Sequence, residues 1–154
     1  MDTRLKQGQL PLGLTDIGKR DVRTQFAALC YRRVKSKLKI LLITSRDTGR
    51  WVLPKGWPMD GRTPAETAVI EAWEEAGIRG TSDPGCEGIY SYDKELDTGV
   101  MLPVIVAVFG VKTDEVSATF DEASERSRKW VSPKKAARLV DEPDLSLLLQ
   151  QFKR

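Results

Sequence analysis

Three glutamates, Glu71, Glu74 and Glu75, stand within five positions of "VIEAWEEAGI", which runs from Val69 to Ile78. Residues three and four apart share one face of a helix. A helix here therefore crowds three carboxylates onto one patch, where like charges repel and raise one another's pKa. A divalent cation removes that penalty. Hard oxygen ligands suit Mg²⁺, with Mn²⁺ as a substitute, and such ions also touch substrate phosphates. The competing reading is an acidic helix face turned to solvent, with Arg79 compensating Glu75 at i+4.

The chemistry around the cluster is restricted by what the chain lacks. It has no histidine, which excludes Ser-His, Cys-His and His-metal mechanisms within the chain. Acid–base work falls to Glu, Asp, Lys, Tyr or Cys. Cys30 lies in an apolar run and Cys86 follows a Pro-Gly turn, with no CxxC pair. Both read as free thiols in a reducing, cytoplasmic compartment, and a structural zinc site is not expected.

Upstream of the cluster, "PKG" (Pro54 to Gly56) leads through the loop "WPMDGR". A glycine there lets backbone approach a ligand closely, Lys55 offers a point charge for phosphate, and a helix N-terminus favours anions. A glycine-containing loop with a lysine, followed by a carboxylate-lined helix, suits metal-assisted attack of water on a phosphoanhydride.

These residues need elements to position them. "TPAE" supplies Thr63 as N-cap, Pro64 at the first helical position and Glu66 for a capping box. Gly77 is placed to stop the helix, and Ala65, Ala68, Val69, Ala72, Trp73 and Ala76 form its apolar face. Before it, "QFAALCY" (25–31) reads as a buried strand, "RRVKSKLK" as a basic turn and "ILLITS" (40–45) as a strand pairing back. "WVLP" is a short extended piece. After the helix, "TSDPGCEG" reads as turns, "IYSYDKEL" and "VMLPVIVAVFGV" as strands, and 113–125 as an acidic loop. "RSRKWV" is a short strand. "SPKKAARLV" is a helix capped by Ser132, and "PDLSLLLQQF" is a last helix with Leu145, Leu148, Leu149 and Phe152 on one face. This order predicts an α+β protein, an α/β/α sandwich with a mixed sheet. Residues 1–20 read as a loosely ordered arm and 21–154 as a single domain.

The bulk numbers agree. The 154 residues suffice for one domain with a real core, and 40% hydrophobic with 31% charged residues fits a soluble globular protein. No run approaches the roughly 18 apolar residues of a membrane span, and the N-terminus has no secretory h-region. The +3 net charge and "RRVKSKLK" are too mild to point to nucleic acid or a membrane surface.

The stretch from Gly56 to Ile78 resembles the Nudix box, G-x5-E-x7-R-E-U-x-E-E-x-G-U with U apolar, the signature of the Nudix hydrolases. Gly56, Glu71, Ala72, Glu74, Glu75, Gly77 and Ile78 match it. "ALCYR", "SRDTGRWVLPKG", "EEAGIRG" and "RSRKWVSPKKAARLV" resemble the branch that cleaves diadenosine and diphosphoinositol polyphosphates, so the resemblance spans residues 23–140. It implies a Mg²⁺-dependent hydrolase of a phosphoanhydride. Glu71, Glu74, Glu75 and the Gly56 carbonyl are the implied metal ligands, and Glu71 and Glu75 are implied catalytic. An acidic loop residue is the implied base or extra ligand, with Glu125 preferred to Glu122. The basic residues Arg32, Arg46, Arg50 and Lys55 are implied to meet the phosphates. Trp51 and Trp57 suit packing or base stacking, while Tyr90 and Tyr92 read as packing. A homodimer is compatible with the family.

Two positions depart from the box. Its first glutamate is Arg62 and its arginine is Ile70. The box arginine is thought to orient the glutamates by ion pairing, and partners of this kind matter about 10–100-fold for affinity or activity. The alternative function is therefore a weakened Nudix fold that binds a nucleotide or a protein partner.

Overall fold

The structure is a computed structural model and describes residues 23–154; the expected arm at 1–20 lies outside the described residues. Among the described residues, eight strands form one mixed sheet, with helices on both faces. The strands are β1 (Arg23–Val34), β2 (Lys37–Thr44), β3 (Trp51–Val52), β4 (Lys55–Gly56), β5 (Ile78–Ser82), β6 (Gly88–Glu95), β7 (Met101–Val116) and β8 (Arg128–Val131). The helices are α1 (Pro64–Ala76), α2 (Pro133–Leu139) and α3 (Pro143–Gln151). The main path is β3-β2-β1-β7-β5; β4 pairs with β1, β6 with β7 and β8 with β2. β1 and β7 run parallel, and the other pairs are antiparallel. This is the expected α+β sandwich.

The central strands are apolar on both faces because both faces are covered. Alternate side chains of β1 and β2 go to opposite sides. Ala27, Leu29, Ile40 and Leu42 join the core beneath α2 and α3, whereas Ala28, Cys30, Leu41 and Ile43 join the core beneath α1.

Helix α1 starts and stops as its sequence directs. The Thr63 hydroxyl accepts the Glu66 N–H at 3.1 Å, and the Glu66 carboxylate accepts the Thr63 N–H at 2.8 Å. Gly77 takes φ 68°, in the left-handed region that suits glycine, and its N–H returns to Ala72 and Trp73. The caps therefore fix the axial position of the three glutamates.

The structure corrects three expectations about the elements. The basic turn narrows to Lys35 and Ser36, both at positive φ, as a two-residue hairpin requires; its flanks belong to the strands. Thr81 and Ser82, read with the turns, are instead the end of β5, "IRGTS". The start of the acidic loop is the end of β7, where Val116 pairs with Ile78 and Glu115 with Arg79. β5 lies at the sheet edge, and its less exposed positions after Ile78 are Gly80 and Ser82, so the apolar alternation that marks a strand is missing.

Candidate functional site

Helix α1 meets the sheet through Ala68, Ala72 and Ala76, all fully buried. Small side chains bring the helix axis close, and the glutamate face arrives at β4. There Glu71 is 9% exposed. A Cβ built on Gly56 would lie 2.3 Å from the Glu71 Cδ, so only glycine leaves room for this carboxyl. Glu75 accepts the backbone N–H of Lys55 at 3.1 Å. Sequence thus becomes geometry through two features, an alanine stripe and one glycine.

The glutamates line a cavity of about 320 Å³ together with Lys55, Gly56, Tyr92, Lys94, Glu122 and Arg126. An adjoining cavity of about 530 Å³ shares Lys55, Tyr92 and Lys94 and continues past Arg50 towards Leu96. The resulting cleft has an end crowded with glutamates and an end of mixed charge that is partly apolar.

Electrostatics at the carboxylate end are unfavourable without a cation. Burial, and then the nearby Glu75 and Glu74, push the Glu71 carboxyl up to about 8. Burial also raises Glu75, against the opposing pull of Arg126 and the Lys55 N–H. Glu74 is raised by burial and by Asp121 and Glu122. Burial lowers the Lys55 ammonium to about 8, with Glu75 opposing. Its Nζ lies 5.1 Å from the Tyr92 ring centroid, and the Tyr92 hydroxyl donates to Gln25 Oε1 at 2.6 Å.

The donor chemistry fits a hard divalent cation, since every acidic side chain at this end offers carboxylate oxygen. Among the described residues no three such side chains already converge as a closed ligand set. Instead, Glu75 and Glu74 stand near enough to Glu71 to add to the burial that raises its carboxyl.

The residues expected from the sequence divide into those the fold gathers and those it does not. Gly56, Glu71, Glu74, Glu75, Lys55 and Arg46 all line the first cavity. Arg50 lines the adjoining one and pairs with Glu142 at 3.2 Å and Asp141 at 3.4 Å. Arg32 lines neither cavity; its guanidinium lies 4.1 Å over Trp130. Glu125 is also outside both, half-exposed and 3.6 Å from Arg46, whereas Glu122 enters the first cavity. Arg79 does not compensate Glu75: it pairs with Glu115 at 3.4 Å and stacks on Trp73 at 3.8 Å. Trp51 packs against the larger core; Trp57 packs there too and also lines the cavity. Tyr90 is core, but Tyr92 faces the cleft.

Gln25, Lys94 and Arg126 are among the cleft residues that the sequence did not single out. A signal existed only for Arg126, an arginine directly after an acidic segment, and nothing local ties it to Glu75.

The profile of the NUDIX domain matches residues 23–152. The chain belongs to the NUDIX family. Among similar NUDIX proteins, Nudix hydrolase 13, mitochondrial, of Arabidopsis thaliana is 28% identical over 126 residues, covering 78% of this chain and 62% of that protein. Diphosphoinositol polyphosphate phosphohydrolase 3-alpha of Homo sapiens is 37% identical over 54 residues, which is 35% of this chain and 33% of that protein. The chain thus matches less than two thirds of the length of these curated relatives. In fold it is similar to the crystal structure of the C. elegans Ap4A hydrolase, at TM-score 0.61 and 22% identity over 84% of this chain and 95% of that one. Neither Arg62 nor Ile70, the two departures from the Nudix box, lines the cleft of this NUDIX domain.

Proposed function

We propose that this NUDIX chain is a Mg²⁺-dependent pyrophosphohydrolase, with Mn²⁺ as a substitute ion. Its substrate is a nucleoside- or inositol-linked polyphosphate, with diadenosine and diphosphoinositol polyphosphates favoured. One observation carries the reading: Glu71, Glu74, Glu75 and Glu122 share a cleft with Lys55, Lys94 and Arg46. Carboxylates suit the cation, and the basic side chains suit the phosphates.

Glu74, Glu75, Glu71 and the Gly56 carbonyl would hold the cation. When bound, it polarises a phosphoryl oxygen and makes water easier to deprotonate. Lys55 and Arg46 grip phosphate oxygens and align the anhydride. A water oxygen forms a bond to phosphorus, the P–O bond of the bridging oxygen breaks, and the leaving phosphate keeps the electron pair. The water proton passes to a carboxylate. Glu71 and Glu122 line the cavity and suit that role, and Glu125 suits it less because it stands outside. The adjoining cavity gives the rest of the substrate a place. The free thiols Cys30 and Cys86 support a reducing compartment, for which the cytoplasm is our preference, and cell fractionation tests it. No helix among the described residues is long and apolar enough to cross a membrane.

The test is phosphate release from diadenosine tetraphosphate, a diphosphoinositol polyphosphate, nucleoside triphosphates and ADP-ribose, with and without Mg²⁺. A Glu74→Gln/Glu75→Gln double variant runs in parallel. Metal-dependent turnover of one class, lost in the variant, is the expected result. No turnover by a folded, metal-binding parent would favour the second reading, a binding module weakened at Arg62 and Ile70. On that reading Ile70→Arg raises hydrolysis sharply.

A further inference from the structure

One cation is buried directly against the carboxylates. The Arg126 side chain is 7% exposed. Each guanidinium nitrogen has its own acceptor: Nε donates to Glu122 Oε1 at 2.8 Å, Nη1 to the Thr44 carbonyl at 2.9 Å, and Nη2 lies 3.4 Å from Glu75 Oε2. The fork therefore joins α1, the end of β2 and the segment after β7. The Glu122 N–H also donates to the Glu74 carbonyl at 3.2 Å, tying the same segment to the glutamate turn of α1.

We propose that Arg126 is the positioning residue of this site, holding Glu75 and Glu122 in place and supplying the charge that Ile70 cannot. The assignment rests on the hydrolase reading above. A planar fork with separate donors reaches three acceptors at once, which a lysine ammonium cannot reproduce with the same geometry. Ile70 is partly buried on α1 and has no charge to offer, while Arg62 is exposed near the helix start.

Arg128 provides an internal control. Its Nη1 donates to the carbonyls of Ala76 at 2.9 Å and Ser117 at 2.8 Å, so it fastens the same segment to α1 without touching a carboxylate. If Arg126 were only a clamp, removing either arginine would have similar consequences.

The experiment is Mn²⁺ binding to the full chain, followed by electron paramagnetic resonance of the free ion, with kcat and KM measured alongside on the substrate found above. Arg126→Ala is expected to weaken Mn²⁺ binding about 10–100-fold. Arg126→Lys should restore part of the loss, and Arg128→Ala should leave affinity within about twofold of the parent. Ile70→Arg in the Arg126→Ala background should recover binding. Equal weakening by Arg128→Ala, or parental affinity in folded Arg126→Ala, overturns the assignment alone. If Arg126→Ala does not fold, Ile70→Arg in the parent decides. Little change supports the assignment, because the charge is already supplied, and a gain above about tenfold overturns it. A parent that binds no Mn²⁺, or binds it equally well after Glu74→Gln/Glu75→Gln, overturns the hydrolase reading and this assignment together.

Discussion

On one face of the sheet α3 meets the strands through Leu145 and Leu149, with Phe152 just past its end; on the other, α1 meets them through Ala68, Ala72 and Ala76. A fully buried leucine contributes about 1.5–3 kcal/mol from area removed from water, and an alanine much less. The α3 face therefore supplies stability, while α1 gives up apolar burial to bring its backbone near. It also carries a buried carboxyl pressed against Gly56. The difference teaches where this fold keeps its unfavourable electrostatics: on a helix fixed by caps, beside a core that holds without it.

If that division is right, stability and activity should separate between the two faces. Leu149 is fully buried and lies outside the cleft. Leu149→Ala should lower unfolding free energy by about 2–5 kcal/mol. Turnover per folded molecule, measured well below the melting transition, should stay at the parental level. A large fall in kcat for the folded fraction would break the comparison.

Gly56→Ala should do the reverse. The added Cβ would meet the Glu71 carboxyl end at 2.3 Å, and that end can swing aside. The melting temperature should shift by only a few degrees. The displaced carboxyl should lower kcat about 100-fold, the scale of a misplacement near 1 Å. Metal-dependent turnover and thermal melts on the same preparation check both halves.

Much of this arrangement could be read from the chain, because its signals are local. The Thr63 and Glu66 capping box, Gly77 and the spacing of Glu71, Glu74 and Glu75 each need only a few consecutive residues. So does the apolar character of β1, β2 and β7. What stayed hidden depends on long-range pairing. β5 is a strand because the end of β7 pairs with it, and Gly80 fits there because a Cβ would lie 2.2 Å from the Lys112 carbonyl. The choice between Glu122 and Glu125 turns on which way a segment folds over α1. Tyr90 and Tyr92 share a strand face, yet one is core and the other lines the cleft, since the strand runs out from under α3. Arg126 meets Glu75 only after the sheet has closed.

The buried carboxyl also gives the two faces different pH responses. Glu71 keeps its proton in the folded, metal-free chain up to about 8, against 4.5 for an ordinary glutamate. Between these values the folded state holds more protons than the unfolded one, so stability falls as pH rises through that window. Urea unfolding in chelator at pH 5, 6.5 and 8 should show the decline, on the order of a few kcal/mol. Glu71→Gln should flatten it, and a slope left intact in that variant would assign the effect elsewhere.

The smallest effects should come from the basic rim, where the fold separates residues that the sequence grouped. Arg46 lines the cavity, and its side chain is 54% exposed, 3.6 Å from both Glu122 and Glu125. Such exposed pairs contribute little, so Arg46→Ala should change stability by less than about 0.5 kcal/mol. If Arg46 grips phosphate equally in the ground and transition states, its loss should raise KM a few-fold, roughly 3–10, with kcat unchanged. That increase should shrink as salt is added, because screening weakens an exposed charge contact. Arg32→Ala should leave KM alone, since Arg32 is committed to Trp130 outside both cavities. Equal KM changes in the two variants would mean that the substrate reaches beyond the cleft to the Trp130 side of the sheet.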